Sequence, residues 1–199
     1  MQASTVQLPV ILIGPVNAGK STLAPLLAEA LGVDHVSLDD LSWGYLQEAG
    51  YEEEVAREHF ERGGQAGALD YIVQFYPSAV ERIVEEYSRS VIELGAGHTV
   101  YDDPTDLARV KAALAPHPNV VLLLPSPDLG KSIRILNARQ GNPHPEIVQM
   151  NARFVRHPSN HELATITVYT SDRTPEATCR EILTRLVSAS RGDTRAEGL

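Results

Sequence analysis

GPVNAGKS, residues 14–21, follows the apolar run Leu8 to Ile13 and leads into STLAPLLAEAL, residues 21–31. The spacing Gly-x-x-x-x-Gly-Lys-Ser turns several backbone N–H groups inward around an anion, because glycine accepts the backbone angles and close approach that such a nest needs. The β-branched run before it and the leucines and alanines at helical spacing after it supply the strand and helix that the motif requires. The stretch therefore reads as a phosphate-binding loop. Gly14, Asn17, Ala18 and Gly19 form its cradle, with Thr22 just beyond. Lys20 is expected to reach the β and γ phosphates of a nucleotide, and Ser21 to place its hydroxyl on Mg²⁺. A helix over about Gly19 to Leu31 would point its partly positive N-terminus at the phosphate chain.

The bulk properties agree with a small-ligand protein. With 199 residues and 43% hydrophobic content the chain suits one domain with a sizeable core. A net charge of −9, with Lys and Arg dispersed, argues against a nucleic-acid-binding face. Cys179 is the single cysteine, so no internal disulfide and no cysteine-rich zinc site is expected. The N-terminal apolar run is too short to span a membrane and leads straight into the loop, so neither a signal peptide nor an anchor is expected. These features predict a cytoplasmic protein, monomeric or homodimeric, without nucleic acid or membrane as partner.

Strand-like runs recur at Leu8 to Ile13, His35 to Leu38, Ser90 to Leu94, Val120 to Leu124 and Ile166 to Tyr169, separated by helical patterns. This alternation predicts an α/β fold with a five-stranded parallel sheet covered on both faces, the ligands lying at the carboxyl ends of the strands. The domain is expected to span residues 1–189. A frayed tail would take up residues 190–199, after an amphipathic segment from Pro175 to Val187.

The loops after the strands carry the candidate chemistry. Asp39 and Asp40 follow the second strand, where a carboxylate can accept the proton of an attacking hydroxyl or help hold hydrated Mg²⁺. Either could instead cap a helix beginning near Leu41. Residues 45–88 exceed a simple crossover and read as an inserted helical segment over an acceptor site. Gly63, Gly64 and Gly67 are expected to break its first helix, and Pro77 to kink the next or sit in its first turn. Tyr71, Gln74 and Tyr76 suit either a polar pocket or core packing.

After the third strand, Gly95, Ala96 and Gly97 let a ligand approach the backbone, and His98 could contact the acceptor or serve as a structural hydrogen-bonder. Asp103 before Pro104 reads as an N-cap, with Asp102 as a lesser metal candidate. After the fourth strand, PSPDLGKSIRILNARQGNPHPE carries Lys131, Arg134 and Arg139 into a segment with Gly and two prolines, read as a mobile lid over about residues 138–150. Arg139 is the candidate for the transferring phosphoryl group and Arg134 for the adenine or phosphates, unless both are plain surface charges. Arg153 and Arg156 could hold an acidic group.

With the loop, SLDDL, VIELGAG, PSPDL and ATITVYTSDRTPEATCREIL in place, the chain resembles shikimate kinase and its relatives among the small P-loop metabolite kinases, of the nucleoside monophosphate kinase-like superfamily. The resemblance implies ATP and Mg²⁺ at Lys20 and Ser21, the acceptor hydroxyl at Asp39, an acceptor cradle at Gly95 and Gly97, and a lid arginine at Arg139. It also implies an acceptor carboxylate at Arg156 and adenine at Pro175. The chain departs from the family pattern in three places. Ser37 stands where the first Asp of the Asp-x-Asp motif would be, and Ala96 replaces the middle glycine of a triple. The Phe-Arg-x-x-Glu motif, whose arginine grips the shikimate carboxylate, is absent, its place falling near Gln74. One lost charge-assisted contact costs roughly 1.5–3 kcal/mol. The expected acceptor is therefore a less acidic alcohol, such as a sugar, nucleoside or natural-product scaffold. True shikimate kinase activity would require a replacement cation from Arg57, Arg62 or Arg153, and a nucleotide-dependent switch would need no acceptor.

Overall fold

The computed structural model describes residues 6–141 and 145–193, with side chains described through Val187. Five strands form one parallel sheet: β1 (Val10–Ile13), β2 (His35–Ser37), β3 (Val91–Glu93), β4 (Val120–Leu124) and β5 (Ile166–Tyr169), in the order β2-β3-β1-β4-β5. β1 lies between β3 and β4, with Leu12 opposite Glu93 on one side and Val121 on the other. β1 and β4 are apolar throughout because both faces of the sheet are covered. Alternate residues of β1 go to opposite cores. Ile11 and Ile13 pack with Ile83, Ile92, Leu122 and Leu124, whereas Val10 and Leu12 pack with Leu27, Leu123, Leu136 and Ile182. Side chains buried this completely contribute about 1.5–3 kcal/mol each.

The helices are α1 (Lys20–Leu31), α2 (Leu38–Glu48), α3 (Glu53–Ile72), α4 (Tyr76–Glu86), α5 (Pro104–Leu114), α6 (Leu129–Arg139), α7 (Pro145–Arg156), α8 (Pro158–Leu163) and α9 (Pro175–Asp193). α2, α3 and α4 make up the expected helical insertion between β2 and β3. Pro77 lies in the first turn of α4, and Asp103 caps α5 by accepting from the N–H groups of Thr105 and Asp106.

Three boundaries differ from the sequence reading. α2 begins at Leu38, directly after β2, so Asp39 and Asp40 lie in its first turn and Ser37 holds the N-cap position. Acids favour that place, since they meet the positive end of the helix. The glycines of α3 do interrupt it, as expected: Gly64 (φ 61°, ψ −149°) is non-helical and joins two helical pieces across a kink, and Gly67 lies so close to the His59 carbonyl that a Cβ would collide with it. Residues 138–150, expected as a lid, take in the end of α6 and the start of α7, with residues 142–144 outside the described residues. α9 continues to Asp193, past the expected start of the tail, of which residues 194–199 lie outside the described residues.

Candidate active site

The loop after β1 owes its shape to its backbone. Gly14 has φ 141°, and a Cβ there would come 2.5 Å from the Leu123 carbonyl oxygen of β4, so only glycine lets the chain leave the sheet at this point. Asn17 takes φ 62°, and Gly19 takes φ 104° at the N-cap of α1, where no side chain caps the helix. The first-turn N–H groups of α1 therefore face the loop as an anion site. Lys20 is buried, and its ammonium donates to the carbonyls of Gly14 (2.9 Å) and Pro15 (3.1 Å). Burial pushes its pKa down, opposed by the carboxylates of Glu93 and Asp39. An anion in the loop would supply the countercharge that this buried cation favours.

Ser21 is joined by a residue that the sequence reading passed over. Its hydroxyl donates to Glu93 Oε1 at 2.6 Å, and Glu93 is buried at the carboxyl end of β3. His35 Nε2 lies 3.6 Å from the other carboxylate oxygen. In the parallel register Glu93 lies opposite Ser37. A carboxylate thus lies one strand over from Ser37, next to the loop. The available signal was a lone acid in an otherwise apolar central strand, since buried carboxylates need partners. The hydroxyl of Ser21 and the carboxylate of Glu93 are the oxygen donors that Mg²⁺ prefers. Asp39, also expected at the metal, lies beside His98 and within electrostatic reach of Lys20. Asp40 is exposed, and among the described residues no group of three or more His, Cys, Asp or Glu side chains is placed to hold an ion.

A cleft of about 370 Å³ lies beside the loop, between the start of α1 and the start of α9, lined by residues 17–23 together with Arg139, Thr170, Arg173, Pro175 and Thr178. The fold brings Arg139 there across 122 residues of sequence. Its guanidinium donates to the Asn17 carbonyl at 3.0 Å and lies 3.4–3.5 Å from Thr170 Oγ1. Asn17 in turn donates to the Gln140 side chain. Pro175 lines the cleft as expected. Arg134 is exposed and does not line it, whereas Arg173, paired with Glu181, does.

On the other side of the loop, Asp39 and His98 converge on Gly95. A Cβ on Gly95 would collide with Asp39 Oδ1 and come 2.6 Å from His98 Nδ1, so glycine leaves room for both polar groups. His98 Nδ1 lies 3.6 Å from Asp39 Oδ1, and the Tyr76 ring packs 4.2 Å from the imidazole. Both ring nitrogens of His98 are buried without a hydrogen-bond partner, and burial lowers its pKa to about 4 against the pull of Asp39. An unsatisfied buried imidazole is costly, which makes it a candidate contact for a ligand. Gly97 is closed in by Tyr76, whose Cε2 a Cβ would meet at 3.3 Å, and Ala96 begins the short 3-10 turn that carries His98.

Other sequence candidates are engaged elsewhere. Gln74 is exposed, in the 3-10 turn Val73–Phe75 after α3, and its amide donates to the Tyr71 carbonyl of that helix. Asp102 accepts from Arg153 at 2.6 Å and lies 3.2 Å from His157 Nε2. The Arg153 bond above all holds its carboxyl below the usual range. Arg57 pairs with Glu54, Arg62 pairs with Glu58, and Arg156 is exposed near the end of α7.

No protein-family model and no curated protein sequence matches the chain. Solved structures do. Shikimate kinase from Acinetobacter baumannii, in complex with shikimate, is 20% identical with a TM-score of 0.63, the match covering 93% of this chain and 96% of that one. Shikimate kinase from Aquifex aeolicus is 19% identical (TM-score 0.55, 96% and 100% covered), and a gluconokinase from Sinorhizobium meliloti 1021 is 17% identical (TM-score 0.56, 96% and 97% covered). The fold is that of the shikimate kinase-like P-loop kinases. Within it, the loop, Glu93 and Arg139 gather around one end of β1, and Asp39 with His98 lies at the edge facing the helical insertion.

Proposed function

We propose that this protein is an ATP-dependent small-molecule kinase that transfers the γ-phosphoryl group to an alcohol other than shikimate. One observation carries the proposal. A buried lysine in an anion nest lies within electrostatic reach of Asp39, a carboxylate at an open strand end, while an arginine closes the opposite side. Phosphoryl transfer needs little covalent help from the protein, so positioned charge is the main requirement.

The loop N–H groups and Lys20 would hold the phosphates of ATP, with Arg139, Pro175 and Thr178 bounding the nucleotide cleft. Ser21 and Glu93 would hold Mg²⁺, which when bound neutralises phosphate charge and fixes its orientation. Asp39 would orient the acceptor hydroxyl and take its proton as the acceptor oxygen bonds to the γ phosphorus and ADP leaves. Arg139 would offset the charge that develops on the transferring group. Gln74 and the pairing of Arg57, Arg62 and Arg153 with acids support a less acidic acceptor than shikimate. A cytoplasmic location and a monomeric or homodimeric state belong to the same reading.

The test is ADP release from Mg-ATP over a panel of sugars, nucleosides, antibiotics and shikimate, with Lys20→Ala as control. Asp39→Asn is expected to lower acceptor-dependent kcat by about 10²–10⁴-fold while ATP affinity stays within a few-fold. Undiminished turnover of that variant at saturating acceptor would remove Asp39 from the chemistry. A panel with no acceptor-stimulated ADP release would count against the kinase.

A further inference from the structure

Asp39 and Trp43 are four residues apart on α2, so they share one face of the helix, one turn from each other. Trp43 is 46% exposed, large for an indole with so much apolar surface, and it is the single tryptophan in the chain. It is also held in place. Its ring meets Tyr51 edge-on at 5.3 Å, and Tyr51 packs on Phe75 at 5.7 Å. Phe75 precedes Tyr76, whose ring covers His98. Burial, Asp39 and Tyr51 together raise the pKa of Tyr76, so its hydroxyl stays neutral. An aromatic wall thus runs from an exposed indole to the Asp39–His98 corner without entering the nucleotide cleft.

The charges beside this wall favour an uncharged ligand. Asp39 and Asp40 occupy the first turn of α2, and arginines of the surrounding helices already face acids: Arg82 faces Glu48 and Glu86, and Arg109 faces Glu81. A carboxylate laid against Trp43 would meet like charge. A flat apolar face would instead cover the indole, with favourable stacking.

We propose that Trp43, backed by Tyr51 and Phe75, is the docking wall of the acceptor, and that the acceptor is an uncharged ring alcohol whose flat face covers the indole while its hydroxyl meets Asp39. This rests on the kinase reading and narrows its substrate class. Rings of this kind include an arene and a nucleobase. Arg156 is the cation that an acidic acceptor would use instead, so acids belong in the test.

Because the chain has one tryptophan, its emission reports on this wall alone. The full-length protein, held with Mg²⁺ and a non-hydrolysable ATP analogue, is titrated with phenyl β-D-glucoside, methyl β-D-glucoside, thymidine, shikimate and D-gluconate. Saturable quenching or a shift of Trp43 emission is expected from phenyl glucoside or thymidine, at concentrations at least tenfold below those at which methyl glucoside or the acids act. For a ring compound that is phosphorylated, Trp43→Ala is expected to raise its KM at least tenfold with the KM for Mg-ATP within twofold, and Trp43→Phe to restore most of the loss. A panel in which no ring compound disturbs Trp43 overturns the proposal, as does tighter binding of shikimate or D-gluconate. If shikimate or D-gluconate is phosphorylated without any change at Trp43, the wall is wrong and the kinase stands. If ring compounds quench Trp43 yet nothing on the panel is phosphorylated, the wall stands and the kinase reading fails.

Discussion

At the scale of single residues, Glu93 owes its place to strand order: the parallel register sets it opposite Ser37, and its carboxylate accepts from the Ser21 hydroxyl at 2.6 Å. Glu93→Gln keeps the volume and a hydrogen-bond acceptor but removes the charge. The expected outcome is a loss of about 10–100-fold in the enhancement that Mg²⁺ gives to ADP affinity, with metal-free ADP binding little changed. Calorimetric titration with and without Mg²⁺ measures it, and an unchanged enhancement would exclude Glu93 from the metal site. Lys20, Ser21 and Asp39 were legible in the sequence because their types recur at a set spacing from a strand end. Glu93 was not, because its use depends on which strand lies beside it. Arg173 went unread for a similar reason: only the return of the chain after β5 brings it to the loop.

At the scale of elements, α7 and α8 are tied to the turn after β3. Asn160 of α8 is buried, accepts from the Thr99 hydroxyl at 2.7 Å and donates to the Phe154 carbonyl at 2.9 Å. The carboxylate of Asp102 adds a more exposed link to Arg153 and His157 of the same region. α7 and α8 are therefore anchored to the loop that carries His98. Asn160→Ala leaves a buried hydroxyl and a buried carbonyl without partners, which is expected to cost about 2–4 kcal/mol. A lower urea midpoint at unchanged slope would register that loss, and a midpoint within error of the parent would show that the tie contributes nothing. Helix existence along the chain was readable from periodicity, but the ends were not. α3 is interrupted at Gly64, where the backbone leaves the helical range, and α2 starts early because two acids favour its first turn.

At the scale of the whole molecule, the burial of His98 should appear in the acid limb of stability. Its pKa is about 4 in the fold against an ordinary 6.5. Above pH 6.5 both states hold it neutral and there is no penalty. Between pH 6.5 and pH 4 the unfolded chain takes up a proton that the folded chain refuses, so stability falls as pH falls, by up to about 3 kcal/mol. Asp39 and Lys20 are the charged groups that act on it, with opposite signs. Denaturation of the parent and of His98→Asn at pH 7 and pH 4.5 checks this. The variant is expected to lose about 2 kcal/mol less than the parent between the two values, and parallel losses would mean that His98 is not held neutral.

The sequence by itself determined the architecture and the shape of the loop after β1. A parallel sheet follows from short apolar runs alternating with amphipathic helices, and the anion nest of the loop follows from glycines and a lysine within eight consecutive residues, where local backbone geometry alone sets the shape. Only the tertiary structure decided that Glu93 supports Ser21, that Arg139 rather than Arg134 reaches the loop, and that Asp39 keeps company with His98. It also brought the ring of Trp43 onto Tyr51, which packs in turn on Phe75. These are contacts between residues distant in sequence. Strand order, helix ends and burial set them, and such properties arise when the layers pack rather than from any one stretch of chain.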